Sequence, residues 1–143
     1  MIVEISNEIV DMKKPLKGAQ KNILVVDDDL DIIDPIKLWL QKNGFAVSEF
    51  TDPIMALEYF NNKSKGIDLV LCDIRMPGVN GYELVTKIKT IQPEIKVILM
   101  SAFEIRQEKL LKVLPSMKID RLISKPISMR KLGEKINHIL KTV

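Results

Sequence analysis

Ile67-Asp-Leu-Val-Leu-Cys-Asp-Ile-Arg-Met-Pro-Gly-Val-Asn-Gly81 is the stretch on which the fold turns. Within it, Leu69-Val70-Leu71-Cys72 is a short apolar run, the pattern of a strand buried on both faces of a parallel sheet. The run stops at a carboxylate, Asp73. Pro77, Gly78, Asn80 and Gly81 then make a turn cluster before a helical pattern resumes. A carboxylate at the carboxyl end of a central parallel strand stands where open α/β sheets place their ligand sites. Asp is also common at strand-to-turn junctions, so Asp73 gains meaning from what the other strand ends carry.

On either side the chain alternates. Asn22–Asp27 reads as a buried strand, Ile-Leu-Val-Val between polar ends. Leu30–Asn43 reads as a helix with Ile32, Ile36, Trp39 and Leu40 on one face and Gly44 suited to its C′ position. Pro35 is tolerable only in a first turn, which predicts a late start with Asp34 as N-cap. Trp39 is expected to pack at the core or its rim. Phe45–Phe50 is a second strand. Asp52-Pro53, an N-cap followed by proline at N1, opens a helix through Met55–Asn61. After the Asp73 strand, a helix runs from about Tyr82 to Ile91, its Leu84, Val85 and Ile88 facing one way, and Pro93 stops it. Val97–Met100 is a fourth strand ending at Ser101. A helix over Ile105–Leu114 is halted by Pro115. Arg121–Ser124 is a short fifth strand closed by Lys125-Pro126, and Ser128 caps a last helix with Leu132, Ile136, Ile139 and Leu140 as its stripe.

Five strands alternating with five helices require a parallel sheet covered on both faces. The expected fold is a doubly wound, flavodoxin-like (βα)5 α/β domain over residues 21–143. Residues 1–20 form an N-terminal extension. There Ile2, Ile5, Ile9 and Met12 recur at helix-like spacing, which fits a short docking helix as well as a loose tail.

The 143 residues suit one domain with a real core. No apolar run reaches bilayer length, no secretory leader pattern opens the chain, and one cysteine excludes an internal disulfide framework. A cytoplasmic protein without membrane contact is expected. Charge is uneven: residues 1–103 hold 12 Lys/Arg against 15 Asp/Glu, and residues 104–143 hold 10 against 4. The basic last third fits a solvated helical surface, an acidic partner or nucleic acid. Nucleic acid is the weakest of these, because no helix-turn-helix or aromatic platform accompanies the charge.

Four strand ends carry polar groups: Asp27-Asp28-Asp29, Asp73, Ser101 and Lys125. In a parallel sheet all four emerge on one edge. Crowded carboxylates repel by about 4 kcal/mol per pair at ~4 Å and an effective dielectric near 20, and a divalent cation relieves that repulsion. Mg²⁺ suits such a site, since it binds through one or two carboxylates and keeps several waters. A carboxylate nucleophile, a hard cation, an ammonium and a hydroxyl together suit phosphoryl transfer. Asp29, Asp31 and Asp34 are read as solvated helix-start acids.

Val25-Val26-Asp27-Asp28, Asp73-Ile-Arg-Met-Pro-Gly-Val-Asn-Gly81, Ser101-Ala102 and Lys125-Pro126 resemble the receiver domains of two-component response regulators. The resemblance implies that Asp73 accepts a phosphoryl group from a phosphohistidine on a sensor kinase. Asp28, Asp73 and the backbone carbonyl of Arg75 would hold Mg²⁺, with Asp27 joining directly or through water. Lys125, Ser101 and the backbone at Ala102 would meet the phosphoryl oxygens, and the Lys125–Pro126 peptide would be cis. The sequence departs from such domains at Leu122, a switch position that commonly carries Tyr or Phe, and at Pro115-Ser-Met-Lys, where small residues are usual. The message would pass to a downstream protein through the last helix–strand–helix face, which also suits a homodimer. With nothing after Val143, a stand-alone receiver without enzymatic output is expected. The alternative is a Mg²⁺-dependent phosphohydrolase with an aspartyl-phosphate intermediate. That chemistry wants an acid two residues after the nucleophile, where this chain has Arg75, which cannot exchange protons.

Overall fold

A computed structural model describes residues 20–76, 80–102 and 121–141. Five parallel strands, β1 (Asn22–Val26), β2 (Ala46–Phe50), β3 (Leu69–Asp73), β4 (Lys96–Ser101) and β5 (Arg121–Ser124), form one sheet in the order β2-β1-β3-β4-β5. The described helices are α1 (Leu30–Lys42), α2 (Pro53–Lys63), α3 (Gly81–Ile91) and α4 (Met129–Leu140). The helix expected over Ile105–Leu114 and the extension before Gln20 lie outside the described residues.

Every residue of β3 is buried, because helices cover both faces of the sheet. Alternation along β1 divides the core. Leu24 and Val26 pack with Ala56, Phe60, Leu84 and Ile88 beneath α2 and α3. Ile23 and Val25 pack with Ile33, Ile36, Leu40, Leu132 and Ile136 beneath α1 and α4. Each such fully buried Leu, Ile or Phe side chain contributes about 1.5–3 kcal/mol.

Caps set where the helices begin. The side chains of Asp29, Asp52, Asn80 and Ser128 accept from the backbone N–H groups of Asp31, Ile54, Glu83 and Lys131, at 2.9, 2.9, 2.9 and 3.3 Å. The first of these corrects the expected late start of α1: Asp29, not Asp34, is its N-cap, and Pro35 lies inside the helix. Pro35 is exposed and forfeits only the bond to the Asp31 carbonyl, one turn back on a face open to water. The buried stripe of α1 is also shifted, to Ile33, Ile36 and Leu40, with Ile32 and Trp39 at the rim.

The end of α1 follows the glycine rule. Gly44 has φ 92°, its N–H donates to the Gln41 carbonyl at 3.1 Å, and Phe45 N–H donates to the Leu40 carbonyl at 3.0 Å. This pair of bonds is the Schellman arrangement, and it turns the chain into β2. Trp39 packs across to α4, where a Cβ at Gly133 would overlap its indole.

Candidate functional site

The strand order places the topological switch point between β1 and β3: the chain leaves β1 for β2 on one side and then returns to β3 on the other. Ligand crevices in doubly wound sheets open at that point, outside the carboxyl ends of the strands. Asp27 follows β1 there, its N–H donating to the Phe50 carbonyl at 3.2 Å. That bond extends the β1–β2 ladder by one residue and turns the Asp27 side chain inward, fully buried. Asp28 is exposed. Asp73 ends β3, 4% exposed, and Ser101 ends β4, 3% exposed. Lys125 follows β5, its N–H donating to the Ser101 carbonyl at 2.7 Å, and its peptide to Pro126 is cis.

These segments meet. The Lys125 ammonium lies 2.9 Å from Asp27 Oδ2 and 3.1 Å from Asp73 Oδ1. Asp27 Oδ1 accepts from the Asp29 N–H at 3.0 Å, so the N-cap of α1 also orients the buried acid. Asp27, Asp28 and Asp73 each offer a carboxylate oxygen within 4.8 Å of the others. This donor set fits a hard divalent cation: all oxygen, net negative, one member open to water and two buried. Asp27 Oδ2 strengthens the fit: among the described residues it is buried with only the ammonium contact and no well-directed hydrogen bond.

The electrostatics point the same way. Burial raises the pKa of Asp73, the Asp27 charge raises it further, and Lys125 only partly offsets both. Asp27 is raised by burial against the pull of Lys125 and the Asp29 N–H. For Lys125, burial favours the neutral amine, but the two carboxylates together outweigh it and hold the pKa above its usual value. Cys72, buried beneath Asp73, has its thiol pushed up by burial and by both acids, so it stays protonated.

A stability consequence follows for protein kept in a chelator. Asp27 and Asp73 bind protons more tightly folded than unfolded, so their contribution is complete below 3.8 and is lost as pH rises through their native values. Urea unfolding from about pH 4 upward is expected to show a destabilising component that shrinks in Asp73→Asn. An identical pH profile in that variant would contradict the assignment.

Of the other residues singled out from sequence, Arg75 lies two positions past Asp73 with its side chain exposed, and Ala102 is half-buried after β4. Leu122 pairs in register with Leu99 and packs on the α2–α3 side of the sheet. Ala102 and Leu122 make no direct contribution to the acidic cluster that the structure records. Gly81 was missed by sequence reasoning beyond its place in a turn cluster. A Cβ there would overlap the Asp73 carbonyl oxygen, and its N–H donates to the Ile74 carbonyl at 2.6 Å. The first residue of α3 thus lies directly against the backbone of Asp73. The available signal was glycine where a helix start prefers a better helix former.

The sequence model of the response regulator receiver domain matches residues 23–137. The chain belongs to this family. Among relatives, the transcriptional regulatory protein ZraR of Klebsiella oxytoca is 38% identical over 117 residues, covering 82% of this chain and 26% of that protein. The chemotaxis protein CheY of Treponema pallidum is 31% identical over 138 residues, covering 96% and 94%. A CheY-like receiver domain protein of Methanospirillum hungatei superposes with a TM-score of 0.78 at 30% identity, covering 86% of this receiver and 95% of that chain. The receiver spans half or less of the length of the first curated relatives it matches, ZraR and the response regulator SaeR of Staphylococcus epidermidis. Receiver domains are signalling modules, and the five-stranded parallel sheet is the flavodoxin-like fold expected of one. Among the described residues no helix is long and apolar enough to cross a membrane.

Proposed function

We propose that Asp73 is the phosphoacceptor of this receiver, taking the phosphoryl group of a phosphohistidine on a sensor histidine kinase. The observation that carries this reading is the Lys125 ammonium held between the Asp27 and Asp73 carboxylates, with Asp28 alongside. An Asp73 oxygen attacks phosphorus, the bond from phosphorus to the donor imidazole breaks, and the leaving nitrogen keeps the electron pair. Lys125 is already within reach of Asp73 and pairs with the charge that the transferred group brings.

Asp28, Asp73 and Asp27 would hold Mg²⁺, with the Arg75 carbonyl completing the set. When bound, the cation neutralises negative charge on the transferring oxygens. Ser101, buried at the end of β4, donates its hydroxyl to a phosphoryl oxygen, and the backbone at Ala102 follows it. The phosphoryl group adds about −1.5 to −2 charges, and contacts that exist only in the modified state are what shifts a population. Leu122 packs on the same side of the sheet and follows Ser101 by van der Waals contact instead of an aromatic rotation. The downstream reader is a protein that distinguishes the two states. The same reading assigns the domain to the cytoplasm, where ATP-fed phosphohistidine donors are made.

Incubation with acetyl phosphate and Mg²⁺ is expected to add one phosphoryl group per chain, seen by intact-mass spectrometry. A chelator is expected to prevent it. Incorporation that ignores the chelator, or none under any divalent cation, would refute the proposal.

A further inference from the structure

Between α2 and α3 runs a groove of about 550 Å³, floored by Leu57 and rimmed by Ile54, Ile91, Glu58 and Lys87. Ile54 is 66% exposed and Ile91 36%. Single exposed apolar residues are ordinary, but several lining one groove mark a surface that something covers. The acidic site lies elsewhere, at the carboxyl ends of β1 and β3, and makes no use of this groove.

We propose that residues Ile2–Met12 of the same chain pack into the α2–α3 groove. Four features favour that occupant. The first is reach. Asn22, at the start of β1, lines a second cleft at the sheet's amino edge together with Asn61, Lys63 and Lys65. Asn61 lines the groove as well, so the two recesses adjoin. The second is tether length. Lys13–Gln20, eight residues, can extend up to about 28 Å, whereas the whole of α2 is only about 16 Å long.

The third feature is pattern. Ile2, Ile5, Ile9 and Met12 fall on one stripe at helical spacing, and a segment of this length does not hold a helix in water without a surface to pack on. The fourth is charge. Ile2–Met12 carries Glu4, Glu8 and Asp11 and no Lys or Arg, while the adjoining recesses present Lys63, Lys65 and Lys87 against Glu58. Because the tether enters from the amino edge, Ile9 and Met12 lie towards Ile91 at the end of α3, and Ile5 lies towards Ile54 at the start of α2.

Paired cysteines in the full chain test both contact and direction, since native Cys72 is wholly buried. Ile9→Cys with Ile91→Cys, and Ile5→Cys with Ile54→Cys, are expected to close intramolecular disulfides at least ~10-fold faster than Ile9→Cys with Leu38→Cys. Leu38 is exposed on α1, across the sheet. Equal rates in all three pairs would overturn the proposal, and so would cross-linked dimers, which would mean that a second copy fills the groove. The double variant Ile5→Asp/Ile9→Asp gives an independent check. Amide exchange along α2 and α3 is expected to speed up by at least ~10-fold while β3 is unaffected. Unchanged exchange on that face would also overturn it.

Discussion

Asp73→Asn is expected to reduce phosphoryl incorporation from acetyl phosphate by on the order of a thousandfold or more, about 4 kcal/mol of lost transition-state stabilisation. The amide keeps the shape of the side chain but supplies no anionic oxygen to attack phosphorus. The fold should survive or gain, because a buried charge beside the Asp27 charge is removed and Lys125 keeps its contact with Asp27 at 2.9 Å. Loss of labelling with an undiminished melting temperature therefore separates a missing nucleophile from an unfolded protein. Labelling at the native level would place the acceptor on another residue, with Asp27 and Asp28 the next to test.

Gly81→Ala is expected to be the most damaging single methyl group that can be added to this chain's described glycines. The new Cβ would overlap the Asp73 carbonyl and approach Ile74 Cα at 2.8 Å. Both obstacles are backbone, fixed by the β3–β4 ladder, so α3 must move. Overpacking of this kind costs about 1–3 kcal/mol, and for a chain of this size 3 kcal/mol is roughly a 10 °C loss in melting temperature. Labelling should fall with it, since the displaced helix start bears on Asp73 itself. Gly66→Ala serves as the control. A Cβ there meets nothing within 4 Å among the described residues, and its effect should stay within about 0.5 kcal/mol. Equal effects at the two glycines would show that close packing against Asp73 does not govern position 81.

Much of this architecture is legible in the residues because several local signals agree. Asp52-Pro53 and Ser128 announce helix starts through cap chemistry alone, and both cap as expected; Asn80, read only as part of a turn cluster, proves to be the N-cap of α3. Asp27, Asp73 and Lys125 could be brought together on paper because parallel strands share one polarity, so residues that end them share one edge. Pro35 misled for a definite reason. The proline rule penalises a helix interior, but the lost bond here is on a solvated face, and the capping bond from Asp29 plus buried Ile33 and Ile36 outweigh it. Two features lay beyond a one-dimensional reading. Asp27 is buried and Asp28 exposed because one extra ladder bond to Phe50 turns the first of two identical side chains inward. The closeness of Gly81 to Asp73 depends on how α3 lies against the strand, which composition does not encode.

The ion pairs of the site join residues at positions 27, 73 and 125, at the carboxyl ends of three strands. Contacts of such high sequence separation form late in folding, since the intervening chain must first be ordered. On the ribosome, a nascent chain that has completed β1 and β3 but not yet β5 carries two crowded acids with no ammonium to balance them. On the proposed function, competence to be phosphorylated would thus belong to the finished domain, since a half-made chain lacks the ammonium that pairs with Asp73.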